Sequence, residues 1–154
     1  AVQGGAQTYL TLLMGTHGGV LGETCALTIL IGGIYLIATK VISPVIPVTY
    51  LGTVAVLSLL AGKDPIYQLL SGGLMLGAFF MATDYVTSPT TNKGKIVFGL
   101  GLGIVTCAIR FLGTMNEGVS FAILLMNLLV PYIDVLTRQD LLGVAKVKKG
   151  GAAK

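Results

Sequence analysis

The run VISPVIPVTYLGTVAVLSLLAG, Val41 to Gly62, contains no charged residue, and neither does PIYQLLSGGLMLGAFFMAT, Pro65 to Thr83. At 1.5 Å rise per residue, each has about the 20-residue length that a bilayer's hydrocarbon core demands of a helix. Three further charge-free windows flank them: Thr24 to Thr39, Ile96 to Ile109 and Gly118 to Ile133. These reach spanning length once Glu23, Lys40, Arg110 and the Asp134 end extend toward the interface. Composition agrees. Of 154 residues, 54% are hydrophobic and 10% charged, and mean hydropathy is +0.88. A soluble domain carries about 25% charged residues to cover its water-facing surface, so the chain is expected to be an all-α integral membrane protein.

Five spanning helices are expected at about 24–42, 47–62, 66–82, 96–112 and 118–136. They form one domain, 24–137, between an extracytoplasmic or re-entrant lead-in, 1–23, and a basic cytoplasmic tail, 138–154. The breaks have mechanisms. Ser43-Pro44-Val45-Ile46-Pro47 separates the first two helices, because proline lacks an amide donor and fixes φ. Gly62-Lys63-Asp64-Pro65 is a polar turn with Pro65 at a first helical position. Ser88-Pro89, Asn92-Lys93-Gly94 and Gly113 to Gly118 supply the remaining loops. The first 25 residues lack the pattern of a secretory signal, and a chain that begins at Ala1 reads as a fragment or a processed piece.

Lysine and arginine set the orientation. With the tail cytoplasmic, Lys40, Lys93, Lys95, Arg138, Lys146, Lys148, Lys149 and Lys154 lie inside and only Lys63 and Arg110 outside, so 8 of 10 positive residues are cytoplasmic. The net charge of +4 then follows from topology, and no nucleic-acid partner is expected. Tyr35, Tyr50, Tyr67 and Tyr132 serve as interfacial aromatics in a chain with no tryptophan. Cys25 and Cys107 read as small packing residues, with no CxxC spacing and no metal site. Lone His17 has no nucleophilic partners, so no catalytic residue is assigned.

One dense polar segment interrupts the apolar windows: Phe80-Met81-Ala82-Thr83-Asp84-Tyr85-Val86-Thr87-Ser88-Pro89-Thr90-Thr91-Asn92-Lys93-Gly94-Lys95. Polar groups at membrane depth are costly unless they line a cavity or bind something. Asp84 with Thr83, Thr87 and Ser88 offers hard oxygen ligands to Na⁺ or a path for H⁺; the competing reading is an interfacial pair with Lys93 or Lys95. Glu23 and Glu117 open two similar segments, Gly22 to Leu30 and Glu117 to Leu125. They read either as helix N-terminal acids favoured by the backbone dipole or as ion-path residues of an internally repeated transporter-like fold. Asp134 is expected to end the last helix beside Arg138, and Asn127 to face another helix. Gly99, Gly101 and Gly103 lie mid-helix with no preceding strand, which makes them a packing face and not a phosphate loop.

Three segments together carry a resemblance: Gly19 to Leu27, Phe80 to Thr91 and Glu117 to Asn127. They resemble the D subunit of the Rnf electron-transport complex, a relative of the B subunit of the sodium-pumping NADH:quinone reductase, from about Tyr9 to Arg138. Many members carry proline where Tyr85 stands. The resemblance implies a ten-helix protein of two five-helix halves, similar in fold to urea transporters, with this chain as the second half. It implies FMN bound covalently to a threonine in a Ser-Gly-Ala-Thr-like motif on the outer side; that threonine is expected upstream of Ala1, since Gln7 interrupts the run Gly4-Gly5-Ala6-Gln7-Thr8. Riboflavin is a second candidate flavin, and His17 and Arg110 are candidate flavin neighbours; the competing readings are a solvated loop histidine and an arginine that snorkels with Glu117 as its partner. The implied partners are the other Rnf subunits (A, B, C, E and G), a prokaryotic plasma or inner membrane, and Na⁺ or H⁺. The implied role is a non-independent subunit of a redox-driven translocase. The competing roles are a subunit like that of the quinone reductase, a urea-transporter-like channel half, and a structural subunit.

Overall fold

The computed structural model describes Met14 and residues 25–71, 73–113 and 118–137. The expected lead-in and tail therefore lie outside the described residues, Met14 apart. All regular structure within them is helical: α1 (Ala26–Ala38), α2 (Val45–Leu60), α3 (Pro65–Leu70), α4 (Leu74–Leu76, continued by a π-helical turn, Gly77–Met81), α5 (Asn92–Leu112) and α6 (Gly118–Thr137). The helices α5 and α6 are long and apolar enough to cross a membrane, and α1 and α2 are shorter apolar helices.

The ends follow from local chemistry. Where α1 stops, the Lys40 amide donates to the Ile37 carbonyl and the Val41 amide to the Leu36 carbonyl, both at 3.0 Å. This pair of reversed bonds closes the helix around a left-handed residue just past its C-cap Thr39, a place usually held by glycine. Here that residue is Lys40, with φ 58°; holding a side chain there costs of order 1 kcal/mol or more. Pro44 flanks the start of α2, and Pro47 falls in its first turn, where amide donors have no helical acceptor in any case. Asp64 accepts from the Ile66 amide at 3.1 Å and Pro65 opens α3. Thr91 caps α5 by accepting from the Gly94 amide at 3.0 Å. Pro131 lies within α6, removing one amide donor without ending the helix.

The expected continuous third helix, 66–82, is corrected by the structure. It is broken between Leu70 and Leu74, where Ser71 is extended (ψ 153°) and Gly73 is left-handed (φ 66°). Glycine at position 73 carries no Cβ penalty in that conformation, and hydropathy, which averages composition, does not register it.

The core lies between α2, α5 and α6. Tyr50, Val54, Phe98, Leu102, Ala122 and Met126 are buried there. The α2–α5 contact is close because Gly99 and Gly103 receive Thr49 and Thr53: a Cβ at Gly103 would stand 2.5 Å from Thr53 Cβ, and one at Gly99 would run into the Thr49 side chain. Those threonines turn their hydroxyls back to the Val45 and Thr49 carbonyls, each at 2.7 Å, and so carry no unpaired donor into the interface. Tyr50, expected as an interfacial aromatic, is instead fully buried in this core, because its hydroxyl finds a partner there in Thr106 Oγ1 at 2.7 Å. The outward faces, with Ile31, Ile34, Leu60, Leu124 and Leu128 exposed, suit lipid.

Leucine at Gly99 should therefore lower the thermal unfolding midpoint, with a cost of roughly 1–3 kcal/mol from overpacking. Gly52→Ala, where a Cβ meets nothing within 4 Å, should leave the midpoint unchanged or raise it.

Candidate functional site

A broken helix leaves carbonyls without amide partners, and in an apolar layer each must find a donor. Arg110, in the last turn of α5, supplies them. Its Nη1 donates to the Gln68 carbonyl at 2.8 Å and to Gln68 Oε1 at 3.3 Å, and its Nη2 to the Ser71 carbonyl at 3.0 Å. The guanidinium thus closes the C-terminal, electronegative end of α3, where a cation is favoured. At the same end, Lys63 Nζ stands 4.2 Å from the centre of the Phe111 ring.

Beyond the break, the chain passes through the π-helical turn. The Ala82 amide reaches back five residues to the Gly77 carbonyl at 2.7 Å, a geometry that recurs at functional sites. The wider turn sends its two phenylalanines toward α1, where Gly32 and Gly33 make room: a Cβ at Gly32 would lie 3.1 Å from Phe80 Cζ and one at Gly33 2.6 Å from Phe79 Cδ1. Thr83 Oγ1 then donates to the Phe79 carbonyl at 2.6 Å.

The polar segment follows directly. Asp84 is exposed; its Oδ2 accepts from Thr87 Oγ1 at 3.1 Å and its carbonyl from the Ser88 amide at 3.1 Å. Among the described residues it makes no ion pair with Lys93 or Lys95. The segment is fastened to the end of α6 instead. The Thr90 amide donates to Asp134 Oδ1 at 3.2 Å. Thr137 Oγ1 donates to the Ile133 carbonyl at 2.7 Å, so Thr91 must be the donor in its 2.8 Å bond to Thr137 Oγ1. Next to the segment, a cavity of about 450 Å³ has Lys40, Ser43, Thr83, Tyr85, Ser88 and Lys95 in its wall.

Of the residues expected to act together, Thr83, Asp84, Thr87 and Ser88 gather around one turn, with Thr83 and Ser88 in the cavity wall. Arg110 is engaged with the helix break. Glu23, Glu117, His17 and Arg138 lie outside the described residues. No group of three metal-ligating side chains occurs among the described residues. Sequence reasoning missed Gln68 and Ser71 as the partners of Arg110, and Asp134 as the acceptor for Thr90. The run Ser71-Gly72-Gly73 was the available signal for a break.

A helical protein with two helices long and apolar enough to cross a membrane, shorter apolar helices beside them and a discontinuous apolar segment whose carbonyls an arginine satisfies has the build of a membrane protein. Residues 2–143 match the family described as NQR2, RnfD, RnfE, and the chain belongs to that family. It is 49% identical over 152 residues to the D subunit of the Na(+)-translocating ferredoxin:NAD(+) oxidoreductase complex of Acetobacterium woodii, covering 97% of this chain and 48% of the relative. It is 45% identical to the D subunit of the proton-translocating ferredoxin:NAD(+) oxidoreductase complex of Clostridium ljungdahlii, over 84% of this chain and 41% of the relative. It is 46% identical to the D subunit of the ion-translocating oxidoreductase complex of Stutzerimonas stutzeri, over 84% of this chain and 38% of the relative. The chain spans less than half the length of each.

Arg110→Met should loosen the break: hydrogen bonds to charged groups contribute about 1.5–3 kcal/mol each. Hydrogen exchange should rise in Ile66–Leu76 while Phe98–Thr106 stays protected. Equal exchange in variant and parent would deny Arg110 this role.

Proposed function

We propose that this chain is part of a membrane subunit of an ion-translocating ferredoxin:NAD⁺ oxidoreductase of the Rnf type, and that it contributes the ion path and its scaffold. Family membership and the names of the relatives support the redox setting. The observation that carries the ion-path reading is the course of the chain from helix break through π-turn to Asp84. Here Thr87 donates to the Asp84 carboxylate, with Thr83 and Ser88 close by in the chain, and that carboxylate has no ammonium partner among the described residues. Such an oxygen-rich turn suits a hard cation or a proton relay. The relatives are named for different ions, sodium in one and the proton in another, so resemblance does not choose between them.

In this reading the chain crosses the membrane five times as one half of a urea-transporter-like protein of two repeats. Residues 1–23 are extracytoplasmic and 138–154 cytoplasmic. The proximity of Lys40, Ser88 and Lys95 around one cavity, and of Lys63 to Phe111 elsewhere, supports the alternation of ends. Covalent FMN would supply one-electron and two-electron transfer when bound. The run Gly4-Gly5-Ala6-Gln7-Thr8 departs from the Ser-Gly-Ala-Thr pattern, so the covalent FMN would be attached to a threonine elsewhere in the full-length protein, with His17 and Arg110 as candidate neighbours and riboflavin as a second candidate flavin. The remaining Rnf subunits would be its partners. The residues of this chain would then hold and pass the cation while electrons travel elsewhere. A quinone-reductase-type role is the second reading, because the matching family spans both.

In membrane vesicles carrying the complete complex, Asp84→Asn should keep ferredoxin-dependent NAD⁺ reduction and lose most of the coupled Na⁺ or H⁺ uptake. Full coupling at full electron flux would remove Asp84 from the path. In-gel fluorescence of the denatured full-length protein should show covalent flavin, and a dark band would sink the flavoprotein assignment.

A further inference from the structure

We propose that the cavity between the α1–α2 turn and the polar segment binds the phosphate headgroup of an anionic phospholipid. The sign of the charge is the first reason. The wall presents the lysines Lys40 and Lys95 and no carboxylate; Asp84, next to Thr83 and Tyr85 in the chain, is not in the wall and is bonded to Thr87. Among the described residues neither ammonium has a carboxylate within salt-bridge reach.

The position of these cations is the second reason. Lys95 is half-buried in the first turn of α5, a 21-residue helix with no acid in that turn. The helix macrodipole is positive at that end, so a lysine there works against it. Lys40 occupies a left-handed backbone position that glycine would take without strain. Both placements are locally unfavourable, and an anion shared between them offsets the cost.

The third reason is the mixed wall. Ser43 and Ser88 carry hydroxyls with no hydrogen bond among the described residues, free to donate to phosphate oxygens. Ile37, Ile42, Pro44 and Ile46 line the rest, a surface that suits the glycerol and first acyl carbons of a lipid better than a free inorganic ion. About 450 Å³ falls within the roughly 300–1,000 Å³ of ligand sites. Basic pockets between membrane helices are suited to anionic headgroups. The site shares Thr83 and Ser88 with the proposed ion path but requires no redox role.

The test uses the natural full-length protein that carries this chain, purified in neutral detergent and titrated with phosphatidylglycerol, phosphatidylcholine, glycerol 3-phosphate or inorganic phosphate. Thermal unfolding and native mass spectrometry are the readouts. Phosphatidylglycerol alone should raise the midpoint and remain bound. The Lys40→Gly/Lys95→Gln variant should weaken that binding by about tenfold or more, while Lys93→Gln, outside the cavity wall, should stay within about twofold. Lys40→Gly relieves backbone strain, so it should fold at least as well as the parent and keep the comparison readable. Equal effects of phosphatidylglycerol and phosphatidylcholine, or undiminished binding in the double variant, would overturn the site. Equal stabilisation by inorganic phosphate or glycerol 3-phosphate would overturn the assignment to lipid.

Discussion

The close approach of α2 and α5 is the constraint on which the remainder hangs. In lipid there is no gain from hiding apolar surface between helices, so association depends on dispersion and on backbones that can come near each other. Gly99 and Gly103 grant that distance, and Thr49 and Thr53 fill it with their hydroxyls already bonded to their own helix. With α2 and α5 fixed together, Arg110 at the end of α5 falls beside the end of α3, and Lys95 at its beginning falls beside the α1–α2 turn. One helix–helix contact thus positions both polar regions.

The interrupted segment can exist because of that placement. Open carbonyls at membrane depth are tolerated only where protein satisfies them, and the guanidinium does so with two planar nitrogens across Gln68 and Ser71. Past the break, the π-turn and the glycine notch in α1 let two aromatic rings pack without pushing the helices apart. The oxygen-rich turn at Asp84 then emerges at a defined place, held by Thr90 and Thr91 against α6.

Much of this was legible in the chain itself. The apolar windows, the prolines at Pro44 and Pro65, and the packing role of the α5 glycines follow from local physics, and the described helices keep to those limits within a few residues, the broken third window apart. The break in that window did not emerge, because the signal Ser71-Gly72-Gly73 is uncharged and sits inside an apolar run of spanning length, and its decisive partner, Arg110, is 39 residues from Ser71. The bond from Thr90 to Asp134 spans 44 residues, and nothing local to either marks it. The reading of Asp84 as either an ion ligand or a lysine partner could not be narrowed from spacing, since the intervening loop could fold back to bring Lys93 or Lys95 to it, whereas the fold leaves them unpaired with it.

The way Arg110 is anchored has an electrical consequence. A flexible cation would swing with the membrane field, but one gripped by two backbone carbonyls stays put and contributes no gating charge. Arg110 therefore lets two open carbonyls stand within an apolar segment without a mobile charge beside them.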